Sequence, residues 1–241
     1  MASIQNKQPS QVRYNLHAWS GDQAHKHQTF YLDGHPVTAT KVEQLDPGRE
    51  TLYRLELDPG SFRHTIPATA TTVIVKQQKD EWEEEFRNEI KAYVRLKELQ
   101  GAVIPHFFGH GSFEELPALI QSEVVGTTLY DLARDKKCKV QEEALESQLE
   151  EVFNALSEYG AVYWDQKLDN FLLCDNGKVM VVDLEQVRFP ETLRRWESNV
   201  NRRGAASLMR DFGDVQHPNR ESSPVEFWMA RSIYHDESAL G

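Results

Sequence analysis

Asp165 and Asn170 stand five positions apart in a polar stretch, with Lys167 between them, and Asp183 follows the next apolar runs. Asn170 and Asp183 offer hard oxygen donors of the kind Mg²⁺ prefers. Lys167 offers a fixed cation, which helps most where charge spreads over the oxygens of a phosphoryl group in transfer. A carboxylate such as Asp165, placed beside these groups, suits acceptance of a hydroxyl proton. Taken together, the types and spacing point to phosphoryl transfer from Mg-ATP.

Such residues must be held by particular elements. Phe171-Leu172-Leu173 and Met180-Val181-Val182 read as short strands, and Asp175-Asn176-Gly177-Lys178 between them is a hairpin turn signal. The hairpin predicts that Asn170 and Asp183 lie at neighbouring strand ends and serve one metal site. Asp and Asn are favoured in turns, so either half of the grouping alone has an ordinary structural explanation; the inference rests on the ordered combination.

Upstream, Thr71-Thr72-Val73-Ile74-Val75-Lys76 is a β-branched strand ending in a lysine. Residues 81–99 follow with helical spacing and place Trp82, Phe86, Ile90, Tyr93 and Leu96 on one face. Glu81, Glu83, Glu84, Glu85 and Glu89 are all available to pair with Lys76. Glu89 is preferred because the three- and four-residue spacing sets it beside Phe86, Tyr93 and Leu96, with Glu85 second. Residues 104–113 and 118–125 suggest two more strands, then a glycine-containing connection at Gly126 and a helix start. Residues 141–159 form an amphipathic pattern with Leu145, Leu149, Val152, Phe153 and Leu156 on one side, stopped by Gly160. That helix is placed to support the segment carrying Asp165.

In this order, the segments resemble those of the protein-kinase-like superfamily over roughly residues 37–188, most strongly over 161–187, and the chain's brevity is similar to that of short kinase-like proteins of filamentous fungi. The resemblance implies an α+β, two-lobed kinase-like fold with a reduced C-terminal lobe. Residues 28–125 would form the N-lobe and hinge, 126–241 the shortened C-lobe, and 1–27 a polar, mobile N-terminal segment. It implies that Asp165 is the proton acceptor, that Asn170 and Asp183 bind Mg²⁺, and that Lys76 contacts the α- and β-phosphates of ATP while paired with Glu89. It also places the adenine ring against backbone groups near Glu123 and Val125, where side-chain identity matters little.

The departures are specific. Tyr163-Trp164-Asp165 stands where protein kinases have His-Arg-Asp, and Asp183-Leu184-Glu185 where they have Asp-Phe-Gly. The acidic third position is familiar from choline-kinase and aminoglycoside-kinase relatives, whereas Lys167 follows the protein-kinase pattern, so the two clues to substrate class disagree. The only candidate phosphate-covering loop, residues 45–50, has one glycine, Gly48, and Arg49 as a phosphate contact. No Ala-Pro-Glu follows Asp183, and residues 186–241 have room for two or three helices, including a helix over 193–212 with Trp196, Leu208 and Phe212, and a last segment carrying Phe227 and Trp228. The expectation is therefore a phosphotransferase acting on an unidentified hydroxyl acceptor, a small molecule in preference to a protein. The alternative is a pseudokinase that binds nucleotide or serves as a scaffold without turnover.

The chain has 241 residues, 39% of them hydrophobic, enough for one domain with a real core. Its net charge of −11 argues against nucleic acid and against an anionic membrane surface, both of which select basic patches. No apolar run approaches the length of a membrane span, and residues 1–10 lack a signal-like apolar centre. Two cysteines, Cys138 and Cys174, suit a reducing cytosol and a cytoplasmic location. His17, His25, His27 and His35 lie in a polar stretch without paired cysteines or a His-Glu-x-x-His helix, and His106 and His110 flank Phe107-Phe108-Gly109 at a strand start as structural residues, so zinc is not expected.

Overall fold

The computed structural model describes residues 28–45, 51–135 and 140–218. Its first half is a barrel of six strands, all neighbouring pairs antiparallel: β1 (Gln28–Leu32), β2 (His35–Gln44), β3 (Leu52–Leu57) and β4 (Thr72–Gln77), then, after the helix α1 (Glu83–Arg95), β5 (Phe107–Phe113) and β6 (Leu116–Gln121). The strand order is β1-β2-β3-β4-β6-β5, and β1 closes the circle on β5 through Tyr31↔Ser112 and Leu32↔Gly111. Closure requires a bare backbone at Gly111, because a Cβ there would overlap the Tyr31 carbonyl oxygen. The runs 37–44 and 51–57 on either side of residues 45–50 read as strands, and β2 and β3 fall on them; β1 precedes both and is additional. Its signal is short but legible: Phe30 and Leu32 alternate inward, and Asp33-Gly34, both at positive φ, make the turn into β2.

Strand alternation separates two environments along β4. Val73 and Val75 join Phe30, Leu32, Val37, Leu55, Phe113 and Ile120 inside the barrel. Ile74 and Lys76 project from the opposite face, and that face is covered too, which is why the strand is an almost unbroken apolar run.

α1 begins at Glu83, two residues later than its spacing suggests, because Glu81 adopts a positive φ of 62° in the turn before it. Trp82 is consequently exposed and Ile90 is only partly buried, whereas Phe86, Glu89, Tyr93 and Leu96 are buried as their spacing predicts, with Ala92 buried beside them. Glu83, Glu84 and Glu85 complement the helix N-terminus. Ala92, Tyr93 and Leu96 belong to a second hydrophobic core, distinct from that of the barrel.

This second core is shared by β7 (Gly126–Thr128) and α2 (Leu129–Arg134), capped by the Thr128 hydroxyl, with α3 (Glu142–Glu158), β8 (Val162–Tyr163), β9 (Phe171–Cys174), β10 (Val179–Val181), β11 (Val187–Arg188), α4 (Ser198–Arg202) and α5 (Gly204–Gln216) packed around it. α3 buries the five apolar residues expected of it and stops at Gly160, whose φ is +69°. The single helix expected over 193–212 is two, α4 and α5, and Trp196 is exposed ahead of both. The break falls at Arg203, and at Gly204, the first residue of α5, a Cβ would run into the Phe153 ring, so α5 lies close on α3. The described residues are thus a mixed α/β structure with five α-helices and a closed six-stranded barrel.

Residues 1–27, Arg49 in the candidate phosphate-covering loop, Cys138 and the Phe227-Trp228 segment lie outside the described residues. Cys174 is a free thiol. No helix among the described residues is long and apolar enough to cross a membrane.

Candidate functional site

Lys76 is placed by its ladder, with Leu52 opposite on β3 and Leu119 opposite on β6, so that its side chain leaves the barrel toward α1. Its ammonium lies 2.7 Å from Glu89 Oε2, 3.0 Å from Asp183 Oδ1 and 3.0 Å from Glu185 Oε1. Glu89, not Glu85, is therefore the α1 partner. Glu185 is shared: its two oxygens also lie 2.9 and 3.0 Å from Lys79, in the connection between β4 and α1. Further contacts fix the Asp183 loop. Glu89 Oε1 accepts from the Leu184 backbone at 3.4 Å, and Asp183 Oδ1 accepts from the Glu185 backbone at 3.2 Å.

Asp165, Lys167 and Asn170 meet this network through two backbone ladders. β8 pairs with β11, Val187↔Tyr163 and Arg188↔Val162, and the β9–β10 hairpin closes through the Cys174–Lys178 turn. Between them, Val182 N–H donates to Asn170 O at 3.0 Å, which sets Asn170 beside the Asp183 segment as the hairpin signal anticipated. Asn170 is buried and its Nδ2 donates to both Asp165 Oδ2 and Asp165 O, each at 2.9 Å. Lys167 is largely exposed and its ammonium lies 2.7 Å from Asp165 Oδ1. Asp165, Lys167 and Asn170 thus form one contact group, and Lys76, Glu89 and Asp183 another, joined by the Asn170–Val182 bond.

A cleft of about 810 Å³ runs between the barrel and the second core, lined by Lys76, Asn170 and Asp183 at one end and by Ile74, Glu123 and Val124 elsewhere. Glu123 is committed as a side chain, accepting from Arg54 Nε and from the Thr72 hydroxyl, both at 2.7 Å. Val125 is exposed and does not line the cleft; Val124 takes its place, because the chain turns outward there before entering β7.

The ionisation states follow from charge count and burial. Three carboxylates, Glu89, Asp183 and Glu185, face two ammonium groups, Lys76 and Lys79, so one negative charge is in excess. Burial pushes Glu89 up to about 7, against the pull of Lys76, with Asp183 adding to the rise. Burial also opposes ionisation of Asp183, but Lys76, the Glu185 N–H and Lys79 outweigh it and hold the carboxyl below its usual range. Lys76 is held protonated, the three carboxylates overriding its desolvation.

Two residues that build the candidate site carry no signal in the sequence. Lys79 lines the cleft and had no motif to mark it. Asn201, on α4, is buried and braces the strand before Asp165: its Oδ1 accepts from Tyr163 N–H at 2.9 Å, while its Nδ2 donates to Ala161 O at 2.7 Å and to the Ser157 hydroxyl at 2.9 Å. Gln166 Nε2 adds donors to Tyr163 O and Val200 O. Nothing in local sequence singles out an asparagine that lies 38 positions from the backbone it holds.

No protein-family model matches the chain, and no curated protein matches it.

Proposed function

We propose that the protein is an ATP-dependent phosphotransferase with the two-lobed arrangement of the protein-kinase-like superfamily, moving the γ-phosphate of Mg-ATP to a hydroxyl group of a small molecule. The observation that carries the reading is the position of the Lys76 ammonium, 2.7 Å from Glu89 and 3.0 Å from Asp183 at the end of a cleft that Asn170 also lines. Kinase catalysis needs a strand lysine tied to a helix glutamate together with a metal-binding aspartate in place. On this reading the barrel covers the nucleotide, and the part built around α3 carries the catalytic loop.

The residues suit Mg²⁺. Asp183 and Asn170 are hard oxygen donors on adjoining backbone, and the surplus carboxylate in the Lys76 network is a charge that a divalent cation offsets. Bound there, the metal would neutralise charge on the phosphates as the bond to the leaving oxygen breaks. Lys76 orients the phosphates. Asp165 takes the acceptor's hydroxyl proton, its carboxylate oriented by Asn170 and Lys167. The adenine lies toward Ser122, Glu123 and Val124, with Ile74 against its face.

A second reading, nucleotide binding without turnover, is supported by the occupancy of Lys76, which already contacts three carboxylates. One experiment separates the two. Mg-ATP at about a hundred times its dissociation constant should stabilise the parent protein by roughly 2.7 kcal/mol, a melting shift of about 5 to 10 °C. Asp165→Ala should keep most of that shift, because Asn170 retains its bond to the residue-165 carbonyl, while phosphate transfer and slow ATP hydrolysis disappear. No shift in the parent with Mg²⁺ or Mn²⁺ removes the nucleotide reading. A shift without turnover across a broad panel of hydroxyl acceptors selects the binding module.

A further inference from the structure

Lys79 lies three residues beyond Lys76, past the end of β4, and lines the same cleft. Its ammonium touches both oxygens of Glu185, at 2.9 and 3.0 Å, and stands 4.7 Å from the centre of the Trp82 ring. Glu185 is also 3.0 Å from Lys76, so a single carboxylate serves two lysines. We infer that Lys79 is a second phosphate-binding cation of the cleft, held at its edge by Glu185 until a polyphosphate competes for it. The inference rests on the nucleotide reading above.

The reasoning is one of available charge. A chain of net charge −11 supplies no general field to hold a polyphosphate, so local cations must do it. Lys76 is committed to three carboxylates and is almost entirely buried. Arg54 and Lys41, the other cations lining the cleft, sit on β3 and β2 and are engaged with Glu123 and with Glu56. Lys79 differs in its place: its carboxylate, Glu185, is shared with Lys76 beside Asp183, whereas Lys41 and Arg54 share Glu56 on the barrel strands, and with a side chain 32% exposed its long stem can follow an anion. Its neighbours Lys76 and Asp183 place it at the phosphate end of the cleft, not the base end. Glu185, at the acidic third position after Asp183, is then a placeholder for phosphate: its negative charge keeps two ammonium groups together while no anion is bound.

The test is calorimetric titration of the full chain with sodium tripolyphosphate, ATP and adenosine, without added metal. Lys79→Met should weaken tripolyphosphate and ATP about tenfold, the size of one charge-assisted contact, and leave adenosine unchanged. Lys79→Arg should recover most of the loss. Glu185→Gln, which keeps the shape and removes the charge, should shift tripolyphosphate affinity the other way, several-fold tighter than the parent. Tripolyphosphate affinity within twofold of the parent in Lys79→Met would overturn the assignment, as would an equal loss for adenosine, which signals general distortion. If the parent itself binds neither ATP nor tripolyphosphate, the nucleotide reading and the inference fall together. If it binds both and Lys79→Met is silent, the inference alone falls.

Discussion

Replacing Lys76 by Met removes the only cation among the described residues within contact of Glu89, a side chain with no exposure at all. Taking one partner from a buried ion pair costs about 3–5 kcal/mol, because the remaining charge has neither water nor a counter-ion. Here the size depends on pH. Glu89 is already pushed up to about 7, so without Lys76 it escapes part of the penalty by taking up a proton in mildly acidic solution. Near pH 8 that escape is dearer, and the full cost applies. At roughly 2–4 °C per kcal/mol for a chain of this size, Lys76→Met should melt about 6 to 20 °C below the parent at pH 8, and by less at pH 6. Glu89→Gln added to Lys76→Met should recover stability, since it removes the stranded charge. The cycle should therefore be non-additive by about 0.5–3 kcal/mol, and Glu85→Gln on the same background should restore nothing. The assay is scanning calorimetry of the four cycle members at both pH values. A loss below about 1 kcal/mol at pH 8, or additivity across the cycle, would refute the claim that this pair is buried and coupled.

Two further outcomes are independent of catalysis. Asn201→Ala should cost about 2–4 kcal/mol in urea unfolding, because it strands the buried Tyr163 N–H and Ala161 carbonyl together; a change under 1 kcal/mol would mean that α4 does not brace the strand before Asp165. The pH dependence of stability should carry Glu89's signature. Its folded value of about 7 exceeds the ordinary 4.5, so the folded chain binds more protons between those values, and Glu89's contribution falls as pH rises through that window, by at most about 1.4 kcal/mol per pH unit. Asp183 acts in the opposite sense, its contribution present above the ordinary 3.8 and lost as pH falls below it. Urea midpoints from pH 4 to 8 should flatten in Glu89→Gln relative to the parent; an unchanged profile would remove Glu89 as the source.

Local pattern alone determined a good part of this protein. The run from Thr72 to Lys76, the buried face of α1 and the turn after Cys174 are short-range properties: side-chain alternation, helical spacing and a glycine at positive φ. They were sufficient to choose Glu89 over Glu85 and to bring Asn170 beside the Asp183 segment. Closure of the barrel was not legible in the same way, because it depends on β1 meeting β5 some 80 residues later, with Gly111 bare against Tyr31. The close seating of α5 on α3 depends on Gly204 lying bare against the Phe153 ring. The commitments of individual charges were decided at the same level. Glu123 faces Arg54 and Thr72, Glu185 bridges two lysines, Val125 turns away from the cleft, and Asn201 holds the Tyr163 backbone. Sequence periodicity states which face a side chain lies on, but the partner across that face comes from a distant part of the chain, and only packing of the two cores brings it within hydrogen-bonding distance.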